Sequence, residues 1–329
     1  MLERLASEFD LGPVGECPTL RIGSSNALFR LASPRGSVVL RRLTRTPERV
    51  ARQHDLLRYL ARHGFPAMPA IESPAGTTLL TEGDATYALY PFVQGDHPKP
   101  GDPDAARLAG RALARLHALT ARSACVPPNP RPPMRDRFLS SAARFGARVD
   151  AVLANPSLRG AHADARWLGG RVQALAGELS DPVYGGLPSA LIHGDFNREN
   201  LILRDGSFAA VLDFDLATED ARAADLAVAL HYLPRRNKGG PLAVPVAATL
   251  LHAYEEVSPL DARERQALAL LIEAKAARSA MRMLRHIVKA PPRRRTALGA
   301  RLGSQLQSLR ALDQDRGWRA ALASPAVGH

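Results

Sequence analysis

The sequence predicts an α+β fold in two lobes, a small antiparallel β-rich N-terminal lobe followed by a larger, mainly helical one. Three observations predict it. Strand-like runs crowd the first ninety residues and are separated by turn residues. Helical periodicity dominates from residue 103 onward. A chain of 329 residues with 46% apolar content can bury a substantial core, most economically as two lobes. The division is placed at 1–93 and 96–329, with a hinge near 88–95.

In order, Leu20–Ile22, Ala27–Leu31 and Ser37–Leu43 read as strands, separated by Gly23-Ser24-Ser25-Asn26 and a turn at 33–36. Pro47–Arg62 reads as a helix whose buried face carries Val50, Leu56, Leu57 and Leu60, and Gly64-Phe65-Pro66 stops it. Ala88–Val93 is a further strand. Pro127–Pro133 (PPNPRPP) is a stiff connector. Pro103–His117 and most of 135–180 are helical, with an insertion around Pro156–Gly160, and the C-terminal third is helical again. There Lys275, Arg278, Arg282 and Arg285 share one helix face. That face either holds a carboxylate or phosphate of a ligand or is a solvated stripe.

The helical part is interrupted by His-Gly-Asp-Phe-Asn-Arg-Glu-Asn at 193–200, followed by Leu-Asp-Phe-Asp at 212–215. Leu201–Leu203 and Ala209–Leu212 flank Asp205-Gly206, which reads as a hairpin closed by a four-residue loop. With Leu203 opposite Ala210, Asn200 would stand opposite Asp213, so that one oxygen from each could reach a shared cation. Asp195 sits on the loop entering the first strand. Its spacing to Asn200 and Asp213 matches that of the protein-kinase catalytic loop and metal aspartate.

These motifs resemble the signature of the aminoglycoside phosphotransferase/choline kinase superfamily: His-Gly-Asp, then Asn, then Asp-Phe. Ala105–His117 is similar to the helix that opens the family's large lobe, and Asp225-Leu226-Ala227 resembles its Asp-Leu-Ala. The stretch Leu250–Leu284 is most similar to the homoserine-kinase-like branch. The resemblance implies a bilobal protein-kinase-like fold and an ATP-dependent transfer of phosphate, with Mg²⁺, to a hydroxyl of a small metabolite. Asp195 would be the catalytic base, with Asn200 and Asp213 as metal ligands. Ser24, Ser25, Arg41, Gln53, Tyr90 and Phe92 would serve the nucleotide, while His193 and Asp225 would be structural. Asp215 would join the metal, touch the substrate or cap the next segment, and Arg278 and Arg282 are candidate substrate contacts. A homoserine-like amino acid or sugar-like alcohol is the expected acceptor. An aminoglycoside-type antibiotic phosphotransferase and a catalytically weak nucleotide-binding regulator are the alternatives.

The small lobe departs from the family pattern. The first lysine in the chain is Lys99, so Arg41 stands where the family's strand lysine is expected, and Gln53 where its glutamate partner is usual. Arginine can clamp two phosphate oxygens through its planar fork, with Gln53 as a neutral orienting partner or Glu48 as an anionic one. Otherwise, Arg41 is an edge-strand surface residue.

The net charge of +12 favours anionic or zwitterionic ligands. A nucleic-acid partner is not expected, because the arginines are dispersed and aromatic content is only 5%. No apolar run reaches membrane-spanning length, and no secretory leader is evident. With Cys17 and Cys125 as the two cysteines, reduced thiols and a cytoplasmic location are expected.

Overall fold

The computed structural model describes residues 2–15, 19–22, 27–179, 184, 186–237, 239–315 and 317–323. The chain divides into two compact units. The first comprises Met1–His97, Ser123–Asn129 and Asn200–Leu216; the second comprises Pro98–Arg122, Pro130–Glu199 and Ala217–His329.

In the first unit, β1 (Thr19–Ile22), β2 (Ala27–Ser33), β3 (Gly36–Leu43), β4 (Leu80–Glu82) and β5 (Ala85–Pro91) form an antiparallel sheet in the order β1-β2-β3-β5-β4. β3 is therefore the central strand, not an edge. Its Val38 and Leu40 bury against Leu5, Phe9 and Leu11 in and just after the short helix α1 (Leu2–Glu8), together with Leu31, Leu80 and Leu89. Leu43 packs with Val50 of α2 (Pro47–Arg62) and Ala88. Pro47 opens α2 where its missing N–H costs nothing, and the expected face of Val50, Leu56, Leu57 and Leu60 is buried.

The unit also contains the hairpin β7 (Leu201–Arg204) and β8 (Ser207–Val211), which the sequence had placed with the second lobe. The physical reason is hydrogen bonding. Asp96 and Leu203 exchange backbone bonds at 2.9 and 2.8 Å, Val211 N–H donates to Pro66 O at 2.7 Å, and the His97 imidazole bonds Leu201 O at 3.0 Å. The hairpin thus follows the segment after β5 rather than its neighbours in sequence.

In the second unit, β6 (Ser189–Ile192) and β9 (Thr218–Ala221) pair antiparallel. Around them run α3 (Pro103–Thr120), α4 (Met134–Ala143), α5 (Phe145–Leu153), α6 (His162–Glu178), α7 (Arg222–Tyr232), α8 (Val244–Glu255), α9 (Ala262–Lys289), α10 (Pro292–Gln314) and α11 (Gly317–Ala323). The stretch expected to be helical over 135–180 is three helices, with the turn Pro156–Ala161 at the expected insertion. α3 begins at Asp102, whose carboxylate accepts from the N–H groups of Asp104 and Ala105. The 28-residue α9 opens on a reciprocal Asp261–Glu264 capping box. Buried Glu273 on α9 binds Arg171 of α6 and Arg319 of α11, cross-tying the helical core. The run Arg293–Arg295 lies in the first turn of α10. Among the described residues, no helix is long and apolar enough to cross a membrane.

Candidate active site

Each unit carries part of the predicted machinery. In the first, the hairpin turns on Asp205 and Gly206, both with left-handed φ (52° and 71°), so two residues suffice where four were expected. Arg204 opposes Ser207, Leu203 opposes Phe208, and a bulge at Ala209 shifts the remainder so that Ile202 opposes Ala210 and Leu201 opposes Val211. The expected pairing of Leu203 with Ala210 is thus off by one. Leu212, not Asp213, faces Asn200, and its N–H donates to Asn200 O at 2.8 Å. Asp213 follows with a left-handed φ of 62°, a conformation that aspartate tolerates better than most residues. Its carboxylate is half exposed, whereas Asn200 is buried.

Beside Asp213 lies a charged cluster. Arg41 leaves central strand β3, is 12% exposed, and donates from Nη2 to Asp215 Oδ2 at 2.6 Å. The same nitrogen is 3.7 Å from Asp213 Oδ1. Buried Gln53 on α2 donates from Nε2 to the other oxygen of Asp215 at 3.1 Å. Arg41 and Gln53 therefore meet through a carboxylate that both bind. Asp215, expected at metal, substrate or cap, is the anion that holds Arg41. Glu48 is exposed in the first turn of α2.

Tyr90 stands opposite Val39, and its hydroxyl bonds His54 Nε2 at 2.9 Å while His54 Nδ1 bonds Thr78 Oγ1 at 2.7 Å. Burial pushes the Tyr90 phenol up to about 12 and the His54 imidazole down to about 4, so both are neutral at physiological pH. Phe92 donates its N–H to Ser37 O at 3.1 Å, and its ring lies 4.0 Å from the Arg30 guanidinium carbon. Ser24 and Ser25 lie outside the described residues. A small pocket beside Asp215 is lined by Arg45, Arg49, Gln53, Pro128 and Asn129. Arg49 donates to Asn129. Sequence reasoning had read the proline-rich segment only as a connector; no local pattern marks Asn129 as a pocket residue.

In the second unit, buried Asp225, near the start of α7, organises the loop after β6. Its Oδ2 accepts from His193 N–H at 2.8 Å and its Oδ1 from Gly194 N–H at 2.9 Å. His117 Nε2 lies 3.2 Å from Oδ2, and His117 Nδ1 bonds Tyr254 OH at 2.8 Å. Burial by itself raises the Asp225 carboxyl. The bonds and charges of His117, His193 and Gly194 outweigh it, and the pKa is lowered overall. Gly194 has φ 81°, which a side chain at this tight turn would strain. Asp195 N–H donates to His193 Nδ1 at 3.2 Å, which puts the ring proton of a neutral His193 on Nε2. Asn197 Nδ2 donates to Asp195 O at 3.1 Å. The backbone of Asp195 is held on both sides, and the residue is half buried. On α9, Arg278 is half buried and Arg282 exposed.

The model of the "Phosphotransferase enzyme family" matches residues 16–271. The chain belongs to the phosphotransferase enzyme family. This phosphotransferase is 30% identical over 284 residues to a homoserine kinase of Caulobacter sp. (strain K31), covering 84% of this chain and 83% of that one. Its fold is that of an amicoumacin kinase solved in complex with AMP-PNP, Ca²⁺ and Ami, at a TM-score of 0.68 and 16% identity over 93% of this chain and 92% of that one. A microcompartment-associated aminopropanol kinase shares the fold at a TM-score of 0.63 and 14% identity, with 93% and 94% covered. The enzyme is an ATP-dependent kinase that transfers a phosphoryl group to a hydroxyl of a small molecule.

Proposed function

We propose that the acceptor is a short hydroxylated amino acid of the homoserine type, and that Asp195 is the base that takes its proton. The observation that carries the assignment is the Asp195 loop. Its backbone is anchored to His193 and Asn197, and its entry is fastened to a buried carboxylate, while the chain aligns with a homoserine kinase over most of both lengths. Such anchoring pre-positions a carboxylate for a hydroxyl without reorganisation at the moment of transfer.

Asn200 and Asp213 would hold Mg²⁺. Their chemistry fits: one amide and one carboxylate are hard oxygen donors, and two protein ligands leave the remaining positions to phosphate oxygens and water. The ion would neutralise phosphate charge when bound. Arg41, fixed by Asp215, adds a permanent positive charge beside Asp213. The acceptor oxygen bonds the γ-phosphorus as its proton passes to Asp195, and the bond from that phosphorus to the β–γ bridging oxygen breaks, releasing ADP.

The test is product formation from a panel of L-homoserine, other amino-acid alcohols, simple amino alcohols and aminoglycosides, read by mass spectrometry. L-homoserine should give the highest kcat/KM. Asp195→Asn should lower kcat by roughly 10²–10⁴-fold while leaving Mg-ATP affinity near that of the parent. A preference for an aminoglycoside, or near-normal turnover by the variant, would overturn the reading.

A further inference from the structure

The small pocket beside Asp215 is lined by more donors than its own acceptors can satisfy. Arg45, Arg49, Gln53, Pro128, Asn129 and Asp215 line it, and all six belong to the first unit. It spans about 200 Å³, below the roughly 300–1,000 Å³ of sites for drug-sized ligands, so it suits one small ion. Arg45 is half buried and makes no hydrogen bond or ion pair among the described residues, and its buried Nε is unpartnered. Arg49, also half buried, donates to Asn129 Oδ1 and forms no ion pair among the described residues. That bond uses the Asn129 oxygen and leaves its amide N–H groups as further donors. Asp215, the acid in this lining, has one oxygen on Arg41 at 2.6 Å and the other on Gln53 at 3.1 Å.

Two permanently charged guanidinium groups therefore line a pocket whose carboxylate is bound on both oxygens by other side chains. A partly desolvated charge without a counter-ion is costly, and a buried donor without a partner marks a place for an ion or a water. Water would satisfy the donor but leave the charge. Two arginine forks and an amide supply donors from three residues, which suits a tetrahedral oxyanion better than a planar carboxylate with two oxygens. The pocket also adjoins the phosphotransfer machinery. Asp215 holds Arg41, whose Nη2 is 3.7 Å from Asp213 Oδ1.

We infer that Arg45, Arg49 and Asn129 form a site for inorganic phosphate, separate from the nucleotide site and coupled to it through Asp215. Bound phosphate adds negative charge beside Asp215, one side chain away from Arg41 and Asp213. It thereby opposes binding of the anionic nucleotide, and by linkage the nucleotide weakens phosphate by the same factor. Phosphate is thus a restraint on the kinase that acts without entering the nucleotide site. The coupling rests on the proposal that Asp213 holds the nucleotide's metal beside Arg41; the phosphate site itself does not.

The test fills the nucleotide site first. Inorganic phosphate is titrated calorimetrically, at constant ionic strength, into the full chain saturated with a non-hydrolysable ATP analogue and Mg²⁺. One phosphate should bind, and Arg45→Gln should weaken it roughly tenfold or more, the range of a charge-assisted contact. Arg45→Lys keeps the charge and should retain part of the affinity, and thermal melting confirms folding. In the converse titration, rising phosphate should weaken the analogue by roughly fivefold or more and then level off. A plateau belongs to a second site, whereas an unlimited rise marks phosphate competing for the nucleotide's own. Absence of phosphate binding to the saturated parent, affinity unchanged in Arg45→Gln, an unlimited rise, or nucleotide affinity indifferent to phosphate would overturn the inference. Nucleotide affinity unaltered in Asp213→Asn overturns the metal assignment alone, and leaves Arg45-dependent phosphate binding standing.

Discussion

The coupling between Arg41 and Asp215 can be measured by a double-mutant cycle. Both side chains are about nine-tenths buried, at 12% and 10% exposure, and the bond is 2.6 Å long. Two unit charges about 4 Å apart attract by ~4 kcal/mol at an effective dielectric of about 20, before desolvation is counted. Charge-assisted hydrogen bonds have net values of about 1.5–3 kcal/mol. Arg41→Gln and Asp215→Asn should each destabilise the protein by about 2–4 kcal/mol, since each strands a partly buried partner. The double variant should fall short of the summed cost by about 2 kcal/mol. Urea unfolding of the four proteins reads this directly. Additivity within about 0.5 kcal/mol would refute the pairing. Gln53→Glu provides a second check of opposite sign. A second carboxylate 3.1 Å from Asp215 repels it, so this variant should be less stable than the parent, and should not restore Arg41→Lys. A gain in stability would show that glutamate belongs at position 53 after all.

Asp213→Asn keeps a residue that tolerates the left-handed backbone and removes only the charge, so Mg-ATP affinity measured by calorimetry should fall roughly tenfold or more, with the fold intact. Unaltered affinity would remove Asp213 from the metal site. Asp225→Asn should cost about 3 kcal/mol in chemical unfolding, because a fully buried acceptor of at least two backbone N–H groups would present an amide nitrogen to one of its donors. The folded pKa of Asp225 is lowered, so its contribution is fully present above the unfolded carboxyl value of ~3.9 and is lost as pH falls through the lower folded value. The parent should therefore lose stability more steeply than the variant below about pH 4. Parallel acid limbs would contradict this.

What the sequence determined alone is what depends on near neighbours. The bounds of α2 and its buried face follow from Pro47, the apolar spacing and the stop at Gly64, all within one or two turns. The hairpin follows from two apolar runs about Asp205-Gly206, and the family from residues 193–225, where spacing is itself the signal. The hairpin register was beyond reach, since apolar alternation reveals neither the two-residue turn, which alone would set Asn200 opposite Val211, nor the bulge at Ala209, whose extra residue moves that partner to Leu212, one short of Asp213.

Partner choice was decided only by the tertiary structure. Arg41 and Asp215 are 174 residues apart, and nothing local distinguishes that acid from Glu48, one strand-to-helix turn away. The sheet order settles that Arg41 lies on a central strand, which converts a possible surface residue into a desolvated charge that needs an anion. Local structure is set by steric and hydrogen-bonding preferences of adjacent residues. Charge pairing depends on through-space distance and burial, which one chain's linear pattern does not encode.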